Sequence, residues 1–455
     1  MVAEAEAGDI SADPFSRFHS ARMPTSTLRL PRLAAHYIHH GVGQGLFTSG
    51  VLQLEGRPDP IVWVHDCGSE SAGGDNLIAS GCALLNRLAG GRRRIDILAI
   101  SHFDSDHISG IKQLLADYEV GTILLPYFPL WSRLVVAFSQ PTDPALTNFC
   151  VDPVAFLSGL DGARFDRIVF VNPGANPSPE ASALYKAPEK FDTDLAAPVT
   201  PIEQLAGPTD PVSYHPGVRV EVLHPGQSVS VWGVWEFLPY ADPKHAPAPR
   251  TRFRQEVAKR LSTLRRADQD THRVSALNEL KSYFDRTFGR GAKARNRISL
   301  CLYAGPIETP EHVDRSALKL VEGKPESVAA SASYERKAAQ LLTGDAYLNT
   351  DAAIKRFTRH FGRTHRLRRI CSFQVMHHGS RANHHPSVPT MVSPMWSVFS
   401  SDPGRKNPHP HAEVRRAYSA FGAMQVDSQT SFVITLDIVP SRSWYVRSDV
   451  SLIGA

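Results

Sequence analysis

The stretch LAISHFDSDHISG, running from Leu98 to Gly110, carries four potential metal ligands within six residues: His102, Asp104, Asp106 and His107. The segment before them, Ile95 to Ile100, is β-branched and apolar, which predicts a buried strand. Behind them Ile108, Ile111, Leu114 and Leu115 recur at helical spacing, which predicts a helix over about His107 to Tyr118. The ligands therefore fall at the carboxyl end of a strand and the entrance to a helix, where α/β folds open their ligand crevices.

The chemistry follows from density and alternation. His102 and Asp104 are two residues apart, so in an extended segment they face the same way. Asp106 and His107 fall where the chain turns and can address a second position. Carboxylate oxygens and imidazole nitrogens together suit zinc, manganese or iron, and two such ions can share a pocket. An isolated Asp-x-Asp would read as a helix-capping turn; two flanking histidines favour metal.

The pattern His102-x-Asp104-x-Asp106-His107-Ile108-x-Gly110 resembles the metal-binding signature of the metallo-β-lactamase superfamily. Within it the chain is similar to the ComEC-like competence-protein branch, where an aspartate stands in place of the middle histidine, as Asp104 does here. Further islands follow in the same order between about Ala35 and Val414. His40-Gly41-Val42-Gly43-Gln44-Gly45 resembles an N-terminal strand element, and Val62 to Gly68 resembles a strand ending in Asp-x-Gly. Leu341 to Asp345 and Met376 to Ser380 are similar to the later metal motifs, and Asn407 to Val414 to the terminal Asn…His-Pro element.

The resemblance implies an α/β fold of a particular kind, a metallo-β-lactamase-like αββα sandwich of two mixed sheets faced by helices. It implies a ligand set of His102, Asp104, Asp106, His107 and Asp345, with Asp345 bridging the ions, plus one of His377 and His378. The other of that pair lies behind the ligands or faces substrate, and the sequence leaves open which. Asp66 is expected to orient the metal motif, or else simply to cap its turn. His409 is a candidate for contacting the substrate's oxyanion. A further histidine, usual in the superfamily ahead of the strand before Thr-Gly-Asp, is replaced here by Asn296, a weaker donor.

The chain has 455 residues, is 42% hydrophobic and 21% charged, and carries a net charge of +5. That composition is ordinary for a globular protein with a sizeable core. The mild positive charge is compatible with a polyanionic substrate. Five scattered cysteines without paired spacing imply free thiols and a reducing, cytoplasmic setting. The first 25 residues have neither a basic start nor an apolar core, so no signal peptide is expected, and no apolar run is long enough for a membrane span. Transport is therefore not carried over from the branch. Neither a Gly-x-x-x-x-Gly-Lys loop nor a Gly-x-Ser-x-Gly elbow occurs, which removes those nucleotide-binding and serine-hydrolase readings.

Along the chain, residues 1 to about 30 read as a mobile leader preceding a hydrolase domain over 31–455. Two strand-like runs between His36 and Gly68 suggest a hairpin. Asn76 to Leu88 reads as a helix; Gly121 to Pro126, Arg167 to Asn172, Val218 to His224, Arg297 to Tyr303, Ala339 to Leu342 and Phe373 to Met376 read as strands. A helical insertion is expected over about 230–295, with an apolar stripe of Val257, Leu261, Leu264, Leu277, Leu280 and Phe284. A smaller one is expected over about 307–338. Eight of the 20 histidines lie between His360 and His411.

The expected activity is a metal-dependent hydrolase holding one or two divalent ions, Zn²⁺ or Mn²⁺, and attacking with a metal-activated water. Asp106 and Asp345 would position that water. The favoured substrate is a phosphodiester, small or within nucleic acid. The basic stretch Ile354 to Arg369, with seven Lys and Arg and no acid, offers a path for a phosphate backbone. Alternatives are a hydrolase of a small ester, lactone or thioester on the same centre, and a metal-poor scaffold that recruits partners through its insertions.

Overall fold

The computed structural model describes residues 32–139, 144–173, 199–201, 217–245, 251–266, 270–288, 299–307, 337–362, 366–405, 408–439 and 445–454. The expected leader, Asn296 and most of the smaller insertion lie outside these residues.

Two mixed sheets and surrounding helices make a mixed α/β fold. The first sheet begins with an antiparallel meander, β1 (Leu33–His39), β2 (Phe47–Leu54) and β3 (Ile61–Cys67). Three strands stand where a single hairpin was expected. The middle one, FTSGVLQL, has the Gly and Ser content of a turn. It is nevertheless a strand, paired on both sides, and a side chain at Gly50 would meet the Trp63 ring at 1.9 Å, so the bulk of one strand fills the space left by the other. The sheet continues in parallel through β4 (Arg94–Ala99), β5 (Glu119–Pro126), β6 (Arg164–Val171) and β8 (Arg219–Leu223), with the short β7 (Val199–Pro201) antiparallel at that edge. At the other edge β16 (Thr430–Val439) pairs with β1 and with β17 (Tyr445–Gly454).

The second sheet has β9 (Val229–Val231), β10 (Trp235–Ala241), β11 (Leu300–Pro306) and β12 (Ala339–Leu342) antiparallel in turn. It ends with β13 (Ile370–Gln374), β14 (Trp396–Ser400) and β15 (Ala423–Val426), parallel to β12. The expected helical insertion from about residue 230 therefore opens differently. Its first part, β9 and β10, consists of sheet strands, since WEFLPYA is buried at all seven positions. The helices Thr251–Lys259, Leu261–Leu264 and Thr271–Phe288 follow only after them.

Period-two alternation sorts the strand side chains between two apolar layers. Trp63 and Ile97 face the second sheet, meeting Phe237, Leu302, Leu342 and Val398. Trp63 and Phe237 meet edge to face at 5.3 Å between ring centroids. Their neighbours Val64 and Leu98 face outward, against Leu85, Leu114 and Leu134 of three helices. Val257, Leu264, Leu280 and Phe284 of the inserted helices pack into that same outer layer, with Leu261 and Leu277 at its margin. A third layer covers the far face of the second sheet, where Tyr303, Leu341 and Phe373 meet Phe357, Phe361, Val414 and Tyr418. All five cysteines are buried and free. Among the described residues no helix is long and apolar enough to cross a membrane.

Candidate metal centre

Five strand ends meet at one place. β3 and β4 of the first sheet, and β12, β13 and β14 of the second, deliver the segments that follow their carboxyl ends to a common crevice. The expected helix after β4 is two helices, Ser105–Ile108 and Ile111–Asp117, interrupted at Ser109 and Gly110. The break arises because the Gly110 N–H leaves the helix to bond the Cys67 carbonyl at 2.9 Å. The end of β3 thereby lies directly under the first short helix. Gly68 is required there, since a Cβ would stand 2.6 Å from the backbone of Asp106 and His107.

Asp66 governs the first motif. It is fully buried, with a left-handed backbone (φ 58°), and its Oδ2 accepts a hydrogen bond from His107 Nδ1 at 2.8 Å. Ser101 donates from its backbone N–H to Asp66 Oδ1 at 2.6 Å and from its hydroxyl to Oδ2 at 2.5 Å. That hydroxyl in turn accepts from His102 Nδ1 at 2.8 Å. Both imidazoles are thus tied through Nδ1 and turn Nε2 toward the crevice, the orientation metal-ligating histidines need.

The Thr343-Gly344-Asp345 turn after β12 is clamped from both sides. Ser299 Oγ accepts from Asp345 N at 2.9 Å and donates to the Thr343 carbonyl at 3.1 Å. The buried Gln374 accepts from the backbone N–H of Thr343 and Gly344 at 2.8 and 2.7 Å, and donates to the carbonyls of Gly344 and Val375. Asp345 is held facing the first motif, with Oδ1 3.2 Å from His107 Nε2 and Oδ2 3.6 Å from His102 Nε2.

After β13 both His377 and His378 adopt left-handed backbone, φ 47° and 56°. His378 is buried; its Nδ1 donates to the Ser400 carbonyl at 2.5 Å and its Nε2 lies 3.0 Å from Asp106 Oδ2. His377 is 27% exposed at its side chain, with Nδ1 on Asn383 Oδ1 at 3.0 Å and Nε2 3.5 Å from Asp345 Oδ2.

Two donor groups, His102–His107–Asp345 and Asp106–His107–His378, have their ligand atoms within 4.8 Å of one another. The fit to a cation is chemical as well as spatial. His102 Nε2, His107 Nε2 and Asp345 Oδ1 are buried and make no hydrogen bond, although polar atoms rarely remain so. The electrostatics agree. Burial opposes charge on every member, yet the histidines around Asp106 and Asp345 hold both carboxyls well below the usual carboxylate range. Burial also opposes a charge on His107, but Asp106, Asp345 and Asp66 outweigh it and raise its pKa well above the ordinary value. His102 goes the other way: burial and the neighbouring His107 lower it to about 4. The crevice gathers carboxylates and imidazoles whose donor atoms could hold a cation.

Of the residues singled out from sequence, His102, Asp106, His107, Asp345 and His378 are members of these two groups. Asp104 stands at the margin, 25% exposed, with Oδ2 3.7 Å from His102 Nε2. His409 is half-buried beside the pair, its ring centroid 6.0 Å from His377 and 6.3 Å from His378. Burial and the adjacent histidines lower its pKa to about 4, so at neutral pH it is an uncharged imidazole. Sequence reading passed over Ser101, Ser299, Gln374 and Asn383. A glutamine closing the buried strand ICSFQ was the one available signal among them, since a buried amide requires partners.

The basic stretch behaves differently from the sequence expectation. Arg356, in the helix Asp351–Gly362, forms a bidentate pair with Asp242 at 2.8 to 3.2 Å, and Arg366 pairs with Glu236 at 2.6 and 3.0 Å. Both fasten the segment to β10 and its following turn, because burial of Asp242 and Glu236 demands a counter-charge. Lys355, Arg359 and Arg368 remain exposed. Arg363 lies outside the described residues. Compared with known protein families and with curated proteins, the chain matches no family model and no curated protein.

Proposed function

We propose that the protein is a metal-dependent hydrolase acting on a phosphodiester, built as a metallo-β-lactamase-like αββα sandwich. The observation that carries this reading is the set of four histidines, His102, His107, His377 and His378. Each is tied at Nδ1 and aims Nε2 at Asp106 or Asp345. Such a set would hold one or two ions, Zn²⁺ or Mn²⁺. Bound there, an ion would supply a water whose pKa falls from roughly 15.7 toward about 7.

The chain's own residues then have distinct tasks. Asp345 presents one oxygen to each side of the crevice and Asp106 presents another beside His378, fixing where charge is held. Asp66 and Ser101 keep His102 and His107 from rotating. His409, uncharged, can donate a hydrogen bond to an oxyanion developing beside His377 and His378. The helix, sheet, sheet, helix layering and the motif order support the family reading, and the free buried thiols support a reducing, cytoplasmic setting.

A small substrate is the second reading, whether a short phosphodiester, ester, lactone or thioester. The engagement of Arg356 and Arg366 in ion pairs favours it over a long phosphate backbone. Metal analysis of the purified protein, followed by cleavage assays on bis-p-nitrophenyl phosphate, single-stranded and duplex nucleic acid and a panel of small esters, tests both. Metal-free protein that is fully active on any of them would overturn the metal reading.

A further inference from the structure

We propose that the end of the two-sheet stack opposite the metal centre is a second binding site, one that takes a small organic anion bearing phosphate groups. It is a cavity of about 600 Å³ along the amino-terminal halves of β3, β4, β5, β6 and β8, with Trp232 of the β9–β10 turn in its lining. That volume lies within the range of small-molecule sites. The proposal goes beyond the metal-dependent reading and does not rest on it.

Strand register explains why polar groups collect there. Leu124, Val169 and Leu223 belong to the apolar layer between the sheets. Two residues earlier on the same face stand Thr122, Arg167 and Glu221, with Arg219 paired opposite Arg167. The inter-sheet layer is therefore apolar in the middle and charged at this end. The charges are only partly matched. Arg92 makes a bidentate pair with Asp96 at 2.5 and 3.1 Å, and Arg94 bridges Glu119 and Asp166, the latter at 2.7 Å. Arg167 is nine-tenths buried; its Nε donates to Thr122 Oγ1 at 2.8 Å and its Nη1 to Glu221 at 3.3 Å, which leaves Nη2 without an acceptor among the described residues. The side chains of Arg57 and Arg219 have no carboxylate partner among the described residues. Five arginines and three aspartates thus line the cavity, and the aspartate left unpaired, Asp59, is exposed. Guanidinium groups with free N–H donors on β6, on β8 and in the turn before β3 suit phosphate oxygens, which accept several charge-assisted hydrogen bonds at once.

The rest of the lining is apolar, with Pro58, Ile61 and Trp232. Trp232 and Gly233 are the central residues of a two-residue hairpin turn, closed by the Val234 N–H on the Val231 carbonyl at 3.1 Å, and both have left-handed backbone, φ 52° and 67°. Such a turn favours asparagine, aspartate or glycine at its first position, and a bulky ring there is costly. Strain of this kind gathers at ligand sites. A side chain at Gly121 would stand 3.1 Å from Arg94 Nη2, so glycine keeps that part of the cavity clear. Phosphates would meet the arginines, and the ligand's ring or apolar portion the wall of Pro58 and Trp232. An inorganic ion alone would leave most of the volume unfilled.

The test is calorimetric titration of the purified full chain with adenosine 5′-diphosphate as probe, with pyrophosphate and citrate for comparison. One site is expected for the nucleotide, with pyrophosphate weaker because it cannot fill the cavity and citrate weaker because it lacks phosphate. Arg57→Gln combined with Arg219→Gln should weaken nucleotide binding about 10- to 100-fold. Asp345→Ala, at the other end of the stack, should leave it unchanged. Should the double variant misfold by circular dichroism, Arg219→Gln alone, at an exposed strand end, carries the test with at least about a 10-fold loss. No binding of the nucleotide, or unchanged affinity in the arginine variants, overturns the proposal. So does citrate or pyrophosphate binding as tightly as the nucleotide. Loss of binding in Asp345→Ala also overturns it, by placing the nucleotide at the metal centre. Each of these results leaves the metal reading standing.

Discussion

Asp66 Oδ2 and His107 Nδ1 lie 2.8 Å apart in a fully buried pair, and this contact sets the tautomer on which the first motif depends. Asp66→Asn keeps the shape and tolerates the left-handed backbone, but its amide accepts less strongly and leaves Ser101 and His107 competing for one oxygen. Affinity for Zn²⁺ or Mn²⁺ is expected to fall about 10- to 100-fold with the fold retained. Equilibrium dialysis of the variant checks this; an unchanged affinity would reduce Asp66 to a turn cap.

Asp345 and Asp106 are the carboxylates inside the donor groups, whereas Asp104 is marginal and partly exposed. Asp345→Ala and Asp106→Ala should lose bound ions and hydrolysis together. Asp104→Ala should lose less of both, because His102, His107 and Asp345 remain converged without it. Metal content and phosphodiester turnover of the three purified variants decide; equal loss in all three would place Asp104 among the principal ligands.

Arg356 and Arg366 test whether the basic stretch is a binding track or a structural fastening. Each faces a nearly buried acid, so neutralising either should destabilise the protein by about 1–3 kcal/mol, read as a shifted denaturation midpoint. The exposed Lys355, Arg359 and Arg368 carry what remains of the track. If nucleic acid binds there, changing these three to Gln should flatten the log–log salt dependence by up to about 0.9 per lost phosphate contact on a duplex. An unchanged slope assigns them to ordinary surface charge and strengthens the small-substrate reading.

His39, His40 and His360 are buried neutral, and burial lowers the pKa of each to about 3. Their unfolded value is about 6.5, so unfolding takes up a proton at each below that pH. The stability they permit is present above about pH 6.5 and is lost as pH falls toward 3, each group contributing a slope of about 1.4 kcal/mol per pH unit between those limits. A denaturation series from pH 7.5 to 4 should show this decline. His360→Gln, which cannot take up the proton, should make the decline shallower; an identical slope would mean that His360 is not neutral in the folded chain.

The placement of the candidate residues could be read from sequence because they follow strands whose apolar runs need little context. Ile95 to Ile100 reads as a buried strand, so His102, Asp104, Asp106 and His107 must lie at its end. Ala339 to Leu342 places Asp345 at a strand end by the same reasoning, as β13 does for His377 and His378. These are local facts: a buried strand has a fixed period and ends where polar side chains begin.

What tertiary structure alone decided depends on pairs remote in the chain. Asn383 reaches back 38 residues to the Asp345 carbonyl, and the direction of its amide settles which His377 nitrogen keeps the proton. Arg356 meets Asp242 across 114 positions, which makes this one arginine of the basic run a fastening. Gln374 holds the turn that aims Asp345, from the end of the neighbouring parallel strand. No periodicity encodes such contacts. They arise because a buried polar group must find a partner somewhere, and only the packing of the two sheets determines which partner is within reach.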